Sequence, residues 1–333
     1  MLPVSFTPEF KLFRNLFSPQ GRAPMTSILP KSGAQSRIGS QPSTRPPAAI
    51  ELSPEGVLAA AVPAPGQPPI YAFEPLPPGA LIPGIAEPNL PFPEVISNAI
   101  RSVLSQVAPR SRNITLIVPD SVVRVFVLDY DSFPTKPDEA YAVLRVRLRK
   151  MVPFDVEHAG ISYQVLSTKA GEARVLTAIL PGPVLAEYEA VVRAAGVEPG
   201  AVLPSTLAAQ ELVDNLEAAL VTNLSSGSLT TTIANGQDLL LYRTLDLPAE
   251  PSHRRDEVQR GIAVAAAYFE DKLGYKPTRL YYSASRESDS LSHWFDEPGF
   301  SLVNLSATPS TGATTSLGHA SLAGVAGALT GVR

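Results

Sequence analysis

Cysteine is missing from all 333 residues, so the chain can form no disulfide, no thiolate metal site and no cysteine nucleophile. Histidine is nearly as scarce. His158, His253, His293 and His319 stand far apart and outside any ligand spacing, which argues against a zinc or haem centre. No apolar run approaches the roughly 18–20 uncharged residues that span a bilayer. The first residues also lack the unbroken apolar core and cleavage site of a signal peptide. Charge is thin, at 17% of residues, and the net value of -4 supplies no basic face for phosphates, so nucleic acid is not an expected partner. There is no G-x-S-x-G elbow, no G-x-x-x-x-G-K-[ST] loop and no G-x-G-x-x-G after a strand. These absences leave a cytoplasmic α/β protein without an obvious catalytic motif.

What is present divides into a short biased segment and a long patterned one. Residues 1–45 read as a disordered extension, because "SPQGRAPMTSILPKSGAQSRIGSQPSTRPP" cannot bury enough apolar surface to offset its ordering entropy. Ahead of that stretch, "FTPEFKLFRNLF" would set Phe10, Phe13, Leu16 and Phe17 on one helical face with Lys11 and Arg14 at its flank. It reads as a docking or membrane-surface segment, or as residues upstream of a functional start at Met25.

From Ala48 the pattern is globular. "AAIELSPEGVLAAAV" gives two strands around Pro54-Glu55-Gly56, and a proline-rich meander follows in which any strand must lie at an edge. "EVISNAIRSVLSQV" is an amphipathic helix with Ile96, Ile100, Val103, Leu104 and Val107 on one stripe. "NITLIVP" and "SVVRVFVLDY", split by Pro119-Asp120, are expected to pair. Thr135 and Pro137 then start a helix whose inward side is Ala140, Val143, Leu144, Leu148 and Met151. Arg145, Arg147, Arg149 and Lys150 crowd its carbonyl end, where cations are favoured. Val152-Pro153-Phe154 stops it, since Pro153 cannot donate to a helix and forces Val152 out of helical geometry.

Further on come a hairpin around Ala170-Gly171, a helix from Pro183 to Gly196, a short strand near Ala201 and a helix over "STLAAQELVDNLEAAL". Asn235-Gly236 signals a second hairpin, followed by a long helix over "HRRDEVQRGIAVAAAYFEDKLGY". A strand "TRLYYSA", a helix around "SDSLSHWF" that carries Trp294, a strand "SLVNLS" and a small-residue helix complete the chain. Hairpins followed by helices occur twice, which suggests two related α/β domains.

This order of elements resembles the PilM proteins of type IV pilus machines, relatives of FtsA and actin. The resemblance covers most of the chain from Ala48 to Val332. It is carried by "EAYAVLRVRLRKMVPFDVEHAGISYQVL", by "VLTAILPGPVLAEYEAVVRAAGVEPGAVLPSTLAAQEL" and by "RTLDLP". It implies an actin-like, ribonuclease H-like fold of two domains. The first would span 46–219, with a small inserted subdomain at about 94–200. The second would span 220–333, its last helix packing back on the first. It also implies a scaffold at the inner membrane whose groove beside the insertion, framed by residues 94–200, holds the cytoplasmic tail of a PilN-like partner. A GspL-like type II secretion component shares the architecture but continues into a membrane span, which this chain does not show before Arg333.

Actin-like folds grip phosphates with two loops, each with an acidic residue and small residues whose N–H groups approach the phosphates. The family's first loop, D-I-G-S-S-S, aligns with Glu51-Leu52-Ser53-Pro54-Glu55-Gly56. Here Pro54 lacks an N–H and Glu55 would face a triphosphate with like charge. The second loop, D-I-G-A-S-S-T, aligns with Asn223 to Leu229, so Ser225, Ser226, Gly227 and Ser228 keep the small residues while Asn223 replaces the acid. A Gly-Gly turn under the nucleoside is replaced by Ser283-Ala284-Ser285. Glu51, Ser53, Asn223, Ser225, Ser226, Gly227, Ser228 and Ser283 therefore mark remnants of a nucleotide site. The expectation is no cofactor and no catalytic residue. The alternative is an active ATPase using Mg-ATP.

Overall fold

A computed structural model describes residues 45–64, 66–169, 172–214, 217–236, 238–284, 301–306 and 320–330. The expected amphipathic segment at 6–17, the turn Ala170-Gly171, Ser285, the helix around Trp294, and His293 and His319 lie outside these residues.

The first sheet opens with β1 (Ala48–Ser53), β2 (Gly56–Ala61) and β3 (Ile70–Pro75), an antiparallel meander in which β3 is the edge that its prolines demand. β4 (Asn113–Val118) and β8 (Glu198–Pro204) then add in parallel on the other side of β1, giving the order β3-β2-β1-β4-β8. The apolar run of β2 is buried on both faces, as expected of a covered sheet. The stripe of α1 (Pro93–Val107) packs on β2 and β3, and α3 (Gly182–Ala194) packs on α1 and β8.

The second half repeats the plan. β9 (Ala219–Leu224), β10 (Ser228–Asn235) and β11 (Asp238–Asp246) form a meander, and β12 (Arg279–Ala284) and β13 (Ser301–Asn304) extend it in parallel, in the order β11-β10-β9-β12-β13. Asn235-Gly236 turns β10 into β11, with Gly236 at φ 60, a conformation that glycine adopts without steric cost. α5 (Pro251–Leu273) covers β9 and β10. Two sheets of one topology, each three antiparallel strands followed by two parallel ones, make the actin-like, ribonuclease H-like fold.

Between β4 and β8 the chain builds a separate antiparallel sheet from β5 (Arg124–Tyr130), β6 (Gly160–Lys169) and β7 (Glu172–Leu180), in the order β5-β7-β6. α2 (Pro137–Leu148) packs on it through Leu144 and Leu148. After α2 the chain turns and Phe154 folds back into the same cluster, so Val152-Pro153-Phe154 does return the helix to its sheet.

Six expectations need correction. β4 and β5 do not pair: Pro119 ends β4, and a 3-10 turn over Asp120–Val122 sends β5 to the other sheet. The inserted sheet consequently takes its strands from 124–180, while α1 and β4, inside the expected 94–200, belong to the first sheet. The cap position of α2 is Lys136 rather than Thr135, and Met151 lies beyond the helix and exposed. The expected long helix after β8 is only α4 (Ser205–Ala209) and a 3-10 turn over Gln210–Leu212. Arg45, assigned to the extension, is buried and paired with Glu211 at 2.9 Å.

Candidate functional site

Five positions at or just beyond the carboxyl ends of neighbouring strands converge between the two large sheets, the place where open α/β sheets bind ligands. Glu51 stands on β1 beside Ile117 of β4 and therefore next to the end of that strand. Asp120 follows β4 and Ser205 follows β8. Across the cleft, Asn223 of β9 lies opposite Ser283 of β12.

Asp120 holds the two sheets together. Its side chain is 4% exposed and accepts four hydrogen bonds. The N–H and Oγ1 of Thr206 donate to Oδ1 and Oδ2 at 3.0 and 2.5 Å. From the second sheet, Asn223 Nδ2 donates to Oδ2 at 3.1 Å and the Tyr242 hydroxyl to Oδ1 at 2.7 Å. Burial and the nearby Asp120 charge raise the Tyr242 hydroxyl well above its ordinary value, so it stays a donor. Asn223 also donates to Ser205 Oγ at 3.2 Å and accepts from Ser283 Oγ at 2.7 Å. A carboxylate has about four lone-pair positions. Here all four face protein donors.

Glu51 occupies the next place along the cleft. Its Oε1 accepts from Ser205 Oγ at 2.5 Å. Its other oxygen faces the first turn of α6 (Ala323–Leu329), where a Cβ at Gly324 would overlap it. Burial pushes the Glu51 carboxyl up to about 7, the charges of Asp120 and Glu55 add to the rise, and the Ser205 hydrogen bond opposes it. The folded protein therefore holds this proton more tightly than the unfolded chain does. Stability should fall as pH rises from about 4.5 to about 7 and then level off. Thermal unfolding across that window should show the slope, and Glu51→Gln should flatten it. An unchanged slope in the variant would assign the pH dependence to other groups.

Both loops are closed on themselves. Around Pro54-Glu55, the Gly56 N–H donates to Ser53 Oγ at 3.3 Å and the Ser53 hydroxyl to the Gly56 carbonyl at 3.2 Å. In the second loop, the Ser225 N–H donates to the Ser228 carbonyl at 2.9 Å and the Ser228 N–H to Ser225 Oγ at 3.1 Å. The consecutive carbonyls of Ser225 and Ser226, just ahead of Gly227, both accept from the buried guanidinium of Arg254 at 2.6 Å. The N–H groups of Gly56, Ser225 and Ser228 are thus engaged within the turns.

Glu51, Ser53, Asn223 and Ser225 line one cavity with Glu55, Pro83, Pro119, Asp120 and Ser321. Its volume is about 50 Å³, enough for one or two water molecules, whereas small-molecule pockets run to roughly 300–1,000 Å³. Ser283 reaches it only through Asn223, and Ser228 only through Ser225. Sequence reasoning matched Glu51 to the acid of the first loop but missed Asp120, Tyr242, Thr206 and Arg254. Pro119-Asp120 at the end of a buried strand was the available signal, read there as a hairpin turn. Asp120, with all four lone-pair positions taken by protein donors, has none left to offer a divalent cation.

Among the described residues no cluster of His, Cys, Asp and Glu could hold a metal ion, and no helix is long and apolar enough to cross a membrane. No protein-family model and no curated protein sequence matches the chain. Among solved structures, it is similar to a chain of a PilM–PilN type IV pilus biogenesis complex, with a TM-score of 0.66 at 17% identity, over 86% of this chain and 98% of that one. The cytoplasmic domain of EpsL, an inner-membrane component of the type II secretion system of Vibrio cholerae, gives a TM-score of 0.48 at 15% identity, over 85% and 92%. The first of these shows a shared fold.

Proposed function

We propose that the chain is a scaffold of a type IV pilus assembly machine that works without nucleotide and holds the cytoplasmic tail of a PilN-like inner-membrane protein. The observation that carries this reading is the Asp120 network: the protein's own side chains bridge the two domains where an actin-like ATPase would place its Mg-ATP. The match over 86% of this chain to a chain from a pilus complex supports the choice of partner. An extended tail would lie beside the inserted sheet, where β6 is an edge strand able to offer backbone donors and acceptors to an added strand. Exposed Val165 on β6 gives such a tail an apolar contact. In this reading Glu51, Ser53, Asn223, Ser225, Ser226, Gly227, Ser228 and Ser283 are a structural hinge seal rather than a cofactor site.

Calorimetric titration with the cytoplasmic tail peptide of the PilN-like protein of the same organism tests the reading. Binding at a dissociation constant near 1 μM, unchanged by ATP, is the expected result. No binding with nucleotide present or absent would overturn it.

A further inference from the structure

A second cavity lies at the end of the second sheet remote from the cleft, where β9 and β12 begin and β10 ends. Its volume is about 580 Å³, within the range of roughly 300–1,000 Å³ that holds small molecules. The run of β9 sets it roughly 15 Å from Asn223.

The end of α5 builds its aromatic wall. The helix stops at Gly274, whose φ of 79 glycine adopts without steric cost and whose N–H donates to the Glu270 carbonyl at 2.8 Å. The chain reverses there, and the Tyr275 ring packs edge-to-face on Phe269, with centroids 5.5 Å apart and planes at 85°. Phe269 is 1% exposed and belongs to the core under α5, so it gives Tyr275 a fixed support. Tyr275 itself stays 52% exposed.

The rest of the lining is charged. β12 supplies Arg279 and Tyr281, two residues apart and therefore on one face of the strand. The Arg279 guanidinium hydrogen-bonds the Tyr281 hydroxyl and is attracted by Glu217. Asp214 and Glu217, both exposed, precede β9 and bring two carboxylates to the same cavity. Two carboxylates thus stand against one guanidinium that is already engaged, beside an aromatic wall. An anion would meet the carboxylates, and an uncharged apolar molecule would strip water from them without return. A cation on a hydrocarbon stem satisfies both walls, because carboxylates attract the charge and aromatic rings accept the charge and the stem alike.

We propose that this cavity binds an organic cation, a primary ammonium or guanidinium on a hydrocarbon stem, with the charge at Asp214 and Glu217 and the stem against Tyr275. The cation arrives as a free aliphatic amine or as a lysine or arginine side chain of another protein, and the recognition chemistry is the same. The site lies apart from the cleft and from the β6 edge, so its occupancy does not depend on the tail.

Calorimetric titration of the full chain tests this with spermidine, for the free amine, and Nα-acetyl-lysine amide, for the protein side chain. At least one should bind with a dissociation constant of about 0.1 mM, and the tighter of the two identifies the source. Asp214→Asn/Glu217→Gln should weaken binding roughly tenfold, and Tyr275→Ala roughly fivefold. Asp138→Asn/Glu139→Gln, the same charge change on α2, should leave it unaltered. All five side chains are exposed, so the variants are expected to fold. No binding of either compound below about 10 mM would overturn the proposal. So would affinity that the cavity variants leave unaltered, or that the α2 variant lowers as much.

Discussion

Asp120→Ala should lower the thermal midpoint by roughly 10 °C, corresponding to about 4 kcal/mol. The carboxylate accepts from Thr206 twice, from Asn223 and from Tyr242, and its removal leaves these buried donors without a partner. Each buried donor left unsatisfied costs about 1–3 kcal/mol, and water entering from the adjoining 50 Å³ cavity offsets part of the total. Two of the four donors come from the second sheet, so the loss falls on the joint between domains. Scanning calorimetry should therefore show the single transition broaden or split. Asp120→Asn, which keeps shape and two acceptor positions, should lose about half as much. A midpoint within 2 °C of the parent for the alanine variant would mean that Asp120 does not join the domains.

Gly327→Ala is expected to cost about 3 kcal/mol, because a methyl group there overlaps the Ala208 carbonyl. Backbone cannot move aside by rotation about a side-chain bond, so α6 as a whole must lift from α4. Gly324→Ala meets only the Glu51 carboxylate, the far end of a side chain that can swing away. That variant should cost about 1 kcal/mol and move the Glu51 titration instead. Chemical denaturation of the pair checks the contrast. Equal losses would show that α6 is not seated by its glycines.

These two predictions mark what sequence could and could not supply. The paired α/β halves, the Asn235-Gly236 turn, the edge position of β3 and the return of α2 through Val152-Pro153-Phe154 follow from local rules of periodicity and backbone geometry, and these were legible. Ser53, Asn223 and Ser225 line the cleft cavity, and the turns that place Ser53 and Ser225 are marked directly in the sequence. Asp120 was not legible, since its role comes from contacts with Thr206, Asn223 and Tyr242, which are 86, 103 and 122 residues away. Arg254 was missed for the same reason: its partners are the carbonyls of Ser225 and Ser226, and carbonyls leave no trace in a residue pattern. The pairing of β4 with β5 failed because two adjacent β-branched runs look alike whether the chain reverses between them or departs to another sheet.

Thermal unfolding of the full chain with and without millimolar Mg-ATP tests the closed cleft most directly. A protein whose Asp120 carboxylate is already filled by its own donors should unfold within about 1 °C of the same temperature in both. A rise of several degrees, as expected when a ligand at a hundredfold its dissociation constant adds about 2.7 kcal/mol, would mean that nucleotide enters between Ser53 and Ser225 and that the cleft opens to admit it.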